Sequence, residues 1–186
     1  MPDDSRAMFN RAARQAERVV ATVEPGQLGA PTPCTEMDVR ALLRHMVSGM
    51  LRVDAMGRQT APEPATDVAD DGWAETYRAA REAAERTWSD DALLSTSMET
   101  PFGTMTGGRL LGVFVVEVVT HTWDLWHAIG SSLTLDPEIA AVALASSRAA
   151  VPEDRRGAPV PFGPVVPVSP DADVYSQLAG WLGRQP

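Results

Sequence analysis

The segment LLGVFVVEVVTHTWDLW, residues 110–126, is apolar almost all the way round a helical wheel, and yet it carries Glu117, His121 and Asp124. A helix without a polar face is ordinarily buried. At about 100° per residue the three polar side chains fall in one narrow stripe, on the line that also holds Leu110, Phe114 and Ala128. Charges there are costly unless they are paired or coordinated. Glu117 and His121 are one helical turn apart, so they can form a buried ion pair or share one cation. A cation needs a third ligand, and the remaining histidines are His45 and His127. On the wheel His127 is displaced by more than about 90° from His121, which leaves His45 as the better candidate.

Outward from this segment the chain reads as helices. Residues 4–23 place Phe9, Ala13, Ala16, Val20 and Val23 at three- and four-residue steps, and Glu24-Pro25-Gly26 stops them. After the extended GAPTPC loop, residues 29–34, Thr35 and Asp38 have the spacing of a capping box. They open a second helix that runs to about Gly57, with Val39, Leu42, Leu43, Met46, Val47, Met50 and Val53 on its core stripe. His45 lies just beyond that stripe, near Gly49, where a small residue leaves room beside it. Residues 58–71 are polar, acidic and rich in Pro and Ala, as an exposed connection would be. A third helix over 72–89 carries Trp73, Tyr77, Ala80, Ala84 and Trp88 at core spacing.

Alternation through Leu94, Thr96, Met98 and Thr100, then Pro101-Phe102-Gly103, predicts a short β-hairpin. Asp136-Pro137 opens a helix that ends before Pro152. Residues 153–168 are Pro-rich and apolar, and are expected to form an extended strap on the bundle. Ser169-Pro170 then caps a last short helix with Val174, Leu178, Trp181 and Leu182 facing inward.

The 186-residue length suits a single domain spanning 1–186. Hydrophobic residues at 44% and charged residues at 22% indicate neither disorder nor a membrane protein. The net charge is −9 and all 16 basic residues are Arg, with no basic cluster, so neither nucleic acid nor an anionic membrane surface is expected as a partner. Cys34 is the single cysteine, which excludes an intrachain disulfide and a Cys-rich zinc site. It lies just ahead of the second helix, where a helix dipole could lower its pKa; a small packed residue is the commoner role. Neither Cys34 nor Ser48 has an obvious partner for nucleophilic catalysis. The N-terminus lacks an apolar leader, so a cytoplasmic location is expected.

The segments PTPCTEMDVRALLRHMVSGM (31–50), PFGTMTGG (101–108), EVVTHTWDLWHAIG (117–130) and FGPVVPVSPDADVYSQLAGWLGR (162–184) carry a resemblance. Together they resemble the actinobacterial DinB-like superfamily that includes the metal-binding N-terminal domain of mycothiol-dependent maleylpyruvate isomerase, specifically its small stand-alone members. The resemblance implies an all-α, four-helix DinB-like bundle with crossover connections. It also implies a divalent metal, usually zinc, with iron or nickel as alternatives, at positions matching His45, Glu117 and His121. Two histidines and a carboxylate leave a coordination position open, as in catalytic zinc sites, and the same set suits non-haem iron. Asp124 is then a support that orients an imidazole, or a bracing residue of the bundle.

In the characterised relatives the metal activates the sulfur of a small thiol, which implies thiol-dependent transfer, addition or isomerisation on a small electrophile. The isomerase itself has a second domain, for which this chain shows no counterpart. Two other readings stand beside this one: a non-catalytic metal- or ligand-binding module that assembles as a dimer through an apolar helix face, and a metal-dependent hydrolase with Asp124 near the water.

Overall fold

In the computed structural model, residues 5–63, 68–100, 103–153, 156 and 162–186 are described. Among these residues the chain forms α1 (Ser5–Val20), a 3-10 turn (Pro25–Gln27), α2 (Val39–Gly57), α3 (Trp73–Thr87), α4 (Ala92–Ser95), β1 (Ser97–Met98), β2 (Met105–Thr106), α5 (Gly107–Ala128), α6 (Pro137–Ala150) and α7 (Val174–Trp181). The fold is all-α apart from one small antiparallel hairpin.

Four helices close a ring in which α1 packs on α5 and α3, while α2 packs on α3 and α5. The consecutive helices α1 and α2 therefore stand on opposite corners, as do α3 and α5, so the connections between them cross the bundle. α6 lies against α5 and α7 against α6. The core is continuous through Phe9, Leu43, Met50, Tyr77, Trp88, Leu111, Val119 and Leu125. At about 25 cal/mol per Å² of apolar surface removed from water, side chains of this size are each worth roughly 1.5–3 kcal/mol.

Two helices start later than their sequence suggests. α2 begins at Val39, with Asp38 rather than Thr35 as its N-cap: the Asp38 carboxylate accepts the Ala41 N–H at 2.8 Å. Val39 N–H and Arg40 N–H donate to Ala30 and Leu28 carbonyls at 3.0 and 2.9 Å, so the preceding loop takes up two of the first-turn donors. Thr32 Oγ1 donates toward the carbonyls of Cys34 and Met37, which holds residues 33–37 in a turn. α7 begins at Val174 with Asp173 as N-cap, accepting from Tyr175 and Ser176 N–H at 2.9 and 3.1 Å. Ser169 closes only a local turn with Asp171 N–H.

The hairpin is shorter than expected, pairing Ser97 with Thr106 and Met98 with Met105. Leu94 belongs instead to α4, opened by Asp90 accepting the Ala92 N–H at 2.9 Å. The hairpin tip at 101–102 lies outside the described residues, as do 64–67 of the acidic connection and 154–155 and 157–161 of the strap. From 162 to 168 the strap is extended and lies on α7. Val166 N–H donates to the Gly180 carbonyl at 2.9 Å, and a Cβ on Gly180 would fall 2.6 Å from the Val166 oxygen. Among the described residues, no helix is long and apolar enough to cross a membrane.

Candidate metal centre

α2 and α5 pack side by side, and this places His45 of one against Glu117 and His121 of the other. His45 Nε2 lies 2.7 Å from Glu117 Oε1, and His121 Nε2 lies 3.6 Å from the same oxygen. The imidazoles meet edge to face, with centroids 4.6 Å apart and planes at 76°. One ligand atom from each of the three residues lies within 4.8 Å of the other two. Bonds of about 2.0–2.1 Å in a tetrahedral zinc site put ligands about 3.3–3.4 Å apart. The two observed separations bracket that spacing, so small side-chain adjustments fit one ion.

His121 is held from behind. Its Nδ1 lies 3.0 Å from Asp124 Oδ2, the two residues being nearly adjacent turns of α5. An Nδ1–H donated to the carboxylate leaves the Nε2 lone pair facing Glu117. Asp124 is fully buried and is itself gripped by Arg184, whose Nε donates to Oδ1 at 3.2 Å and whose Nη2 donates to Oδ2 at 3.0 Å. Arg184 Nη1 also donates to the Leu182 carbonyl at 3.0 Å.

Arg184 is the site residue that sequence patterning does not single out. It reaches Asp124 because α7 ends in a Schellman turn: Arg184 N–H donates to Ala179 O at 2.9 Å, Gly183 N–H donates to Gly180 O at 3.1 Å, and Gly183 has φ +81°. A glycine followed by a lone Arg after an apolar helix is the signal that was available.

The electrostatics follow from these contacts. Burial alone would raise the Glu117 carboxyl, but the imidazoles of His121 and His45 outweigh it and hold the group well below the usual carboxylate range. Burial pushes the His121 imidazolium down, yet Asp124 and Glu117 reverse the sign and the net shift is upward. Asp124 is likewise lowered, His121 and Arg184 prevailing over burial. Without an ion the cluster is thus a compact charge-balanced network, which is the alternative that the sequence left open beside coordination.

The remaining candidates separate from this cluster. His127 is exposed and packs on Trp123 with ring centroids 5.1 Å apart. Cys34 offers its sulfur within 4.8 Å of His121 and Asp124 ligand atoms. Burial pushes the Cys34 thiol up, with Arg184 opposing and nearby carboxylates adding. The net shift is upward, opposite to the lowering that a helix N-terminus would give.

A cavity of about 10 Å³ lies beside His45, Glu117 and His121, walled by Met46, Gly49, Met50, Tyr77, Phe114 and Val118. That volume suits about one water-sized centre. A wider depression of about 400 Å³ between α1 and α3 is lined by Arg14, Glu17, Arg18, Arg81, Glu82 and Glu85. Its Arg81 is paired with Glu17, Glu82 and Glu85, and Arg14 with Glu85, so it is a surface ion-pair network.

The family model of the mycothiol maleylpyruvate isomerase N-terminal domain matches residues 9–126, which span α1 to α5 and include His45, Glu117, His121 and Asp124. The chain belongs to this family. Its similar relatives include two uncharacterised proteins of Mycobacterium tuberculosis, from strains CDC 1551 and H37Rv. Each is 34% identical over 181 residues, covering 97% of this chain and 98% of its own length. No solved structure matches.

Proposed function

We propose that this family member binds a divalent metal, zinc foremost, through His45, Glu117 and His121, and uses a low-molecular-weight thiol of the mycothiol type in transfer, addition or isomerisation on a small electrophile. The observation that carries this reading is the convergence of two imidazoles and one carboxylate on a narrow, mostly apolar cavity, with His121 already oriented by Asp124. A divalent cation bound there supplies thiolate stabilisation, because coordination lowers a thiol pKa.

The protein's own groups do the rest. Asp124 and Arg184 hold the His121 tautomer, and Glu117 offers negative charge that offsets the ion's. The Met46, Met50, Phe114 and Val118 side chains give the cavity apolar, polarisable walls that favour a soft sulfur over a hydrated group. The body of a thiol cofactor would lie outside a cavity this small. Glu117 and His45 are partly exposed, their side chains at 37% and 34%, so the site is reachable from solvent.

The hydrolase reading is less well supported. It needs a free acid or base near a water, and Asp124 is fully buried and engaged by both His121 and Arg184.

Metal analysis of purified wild-type, His45→Ala and His121→Ala protein tests the site. We expect close to one equivalent in wild type and loss in both variants; stoichiometric metal retained in both would sink it. In the cobalt-substituted wild type, 2-mercaptoethanol should shift the visible spectrum. A spectrum indifferent to that thiol and to mycothiol would remove the thiol-dependent part of the reading.

A further inference from the structure

α6 buries Ile139, Ala140, Ala143, Leu144 and Ser147, and packs on α5 and α7. Its opposite side is exposed. There Glu138, Val142, Ala145 and Ala149 fall within about 60° on the helical wheel, with the exposed Ala141 beside them. Between Glu138 and Arg148 the helix carries no charge. A helix face in contact with water is ordinarily polar, whereas Val142, 39% exposed, is one of two large hydrophobic side chains left open among the described residues. The alanines around it allow the backbone of a second helix to approach closely.

The charges at the two ends of this face say what covers it. Glu138, in the first turn, accepts from Arg11 at 2.8 Å and still has a side chain 74% exposed. Arg148, in the last turn, is exposed and has no carboxylate partner among the described residues, its guanidinium lying 5.5 Å from the centroid of the Trp181 ring. A parallel copy of the helix would set like charge against like. An antiparallel copy sets Glu138 of each chain toward Arg148 of the other and opposes the two helix dipoles favourably. In that register, centred near Ala143 and Leu144, Val142 stands opposite Ala145, so the bulkiest side chain of the face meets a small one.

We propose that the exposed face of α6 is a homodimer interface, two copies packing antiparallel about a two-fold axis with Val142 of each against Ala145 of the other and a Glu138–Arg148 pair at either end. The inference is independent of the metal and thiol reading. The face is that of one 14-residue helix, about 21 Å long, so the contact is smaller than a standard interface and the dimer is a weak, reversible one.

Sedimentation velocity of the full chain tests this at loadings from about 1 to 500 µM, the window in which weak association becomes populated. Wild type should move from monomer toward dimer across that range. Ala145→Glu, which places a carboxylate at the centre of the face, should stay monomeric throughout; Val142→Glu repeats the test should Ala145→Glu fail to fold. Arg148→Glu should raise the dimer dissociation constant about tenfold or more, since two attractive pairs become repulsive. The double variant Glu138→Arg, Arg148→Glu restores opposite charges across the axis and should return to within about threefold of wild type.

Wild type that remains monomeric at every loading overturns the proposal. Folded Ala145→Glu that dimerises like wild type also overturns it, by moving the contact to another face. A double variant no stronger than Arg148→Glu alone overturns the antiparallel register.

Discussion

Asp124 joins the chemistry of the site to the stability of the fold, because one carboxylate serves both His121 and Arg184. Asp124→Ala removes the acceptor for Nδ1–H, frees the imidazole to rotate or change tautomer, and leaves a buried guanidinium without its anion. Loss of such a supporting carboxylate typically lowers metal affinity about 10–100-fold. Breaking a buried pair by removing one partner costs about 3–5 kcal/mol. Both effects are expected together, the first by metal-competition titration and the second by urea unfolding of the metal-free protein. Asp124→Ala that unfolds like wild type would show that Arg184 finds solvent without penalty. At this scale the sequence was half legible. The stripe of Glu117, His121 and Asp124 could be read from helical period alone, and His45 from the short supply of histidines. Arg184 could not, because its partnership with Asp124 spans 60 residues of chain and depends on a turn. Tyr77 was legible as core, and its buried hydroxyl without a partner shows only once the helices are packed.

Among the elements, the C-terminal turn of α7 carries more than its length suggests. Gly183 has φ +81°, and a Cβ there would also approach the Pro164 carbonyl oxygen to 3.2 Å. An L-residue in that conformation costs roughly 1–2 kcal/mol. Gly183→Ala should therefore lower stability by about that amount and weaken metal retention, because Arg184 leaves Asp124 as the turn opens. Gly29→Ala, where a Cβ meets open space and φ is not positive, is the matched control and should stay within about 0.5 kcal/mol of wild type in urea unfolding. Equal effects from the two would refute the link between this turn and the site. The long helices were legible because apolar period and length agree in each. Their starts were less so: Thr35 and Ser169 are good cap residues by type, but Asp38 and Asp173 win because loop contacts, such as Ala30 and Leu28 accepting from Val39 and Arg40, decide where the first turn's donors go. The segment around Leu94 alternates like a strand, and the turn in which Asp90 accepts the Ala92 N–H leads its first part into α4.

For the whole molecule, the ring of α1, α5, α2 and α3 makes the site a point of attachment between helices far apart in sequence, so its ionisation reports on global stability. His121 is raised above its ordinary 6.5 in the metal-free protein; its contribution is full below that value and is lost as pH rises through the raised one. Glu117 and Asp124 are lowered from 4.5 and 3.8; their contributions are full above those values and are lost as pH falls through the lowered ones. Surface carboxylates such as Asp70 with Arg40 act in the same direction, but solvent screens them. The metal-free chain is thus expected to be most stable between about pH 4.5 and 6.5 and to weaken on both sides. A divalent cation changes only the alkaline side. It competes with the proton on His121, so its affinity and the stability it adds grow as pH rises. Self-repulsion from the net charge of −9 also grows with pH, but it is common to protein with chelator and protein with zinc, and the difference between the two removes it. Thermal midpoints followed from pH 4 to pH 9 should therefore converge in acid and separate progressively above about pH 6.5, with the zinc trace higher. Traces that coincide throughout would mean that the His45, Glu117 and His121 cluster is an ion-pair network and not a metal centre.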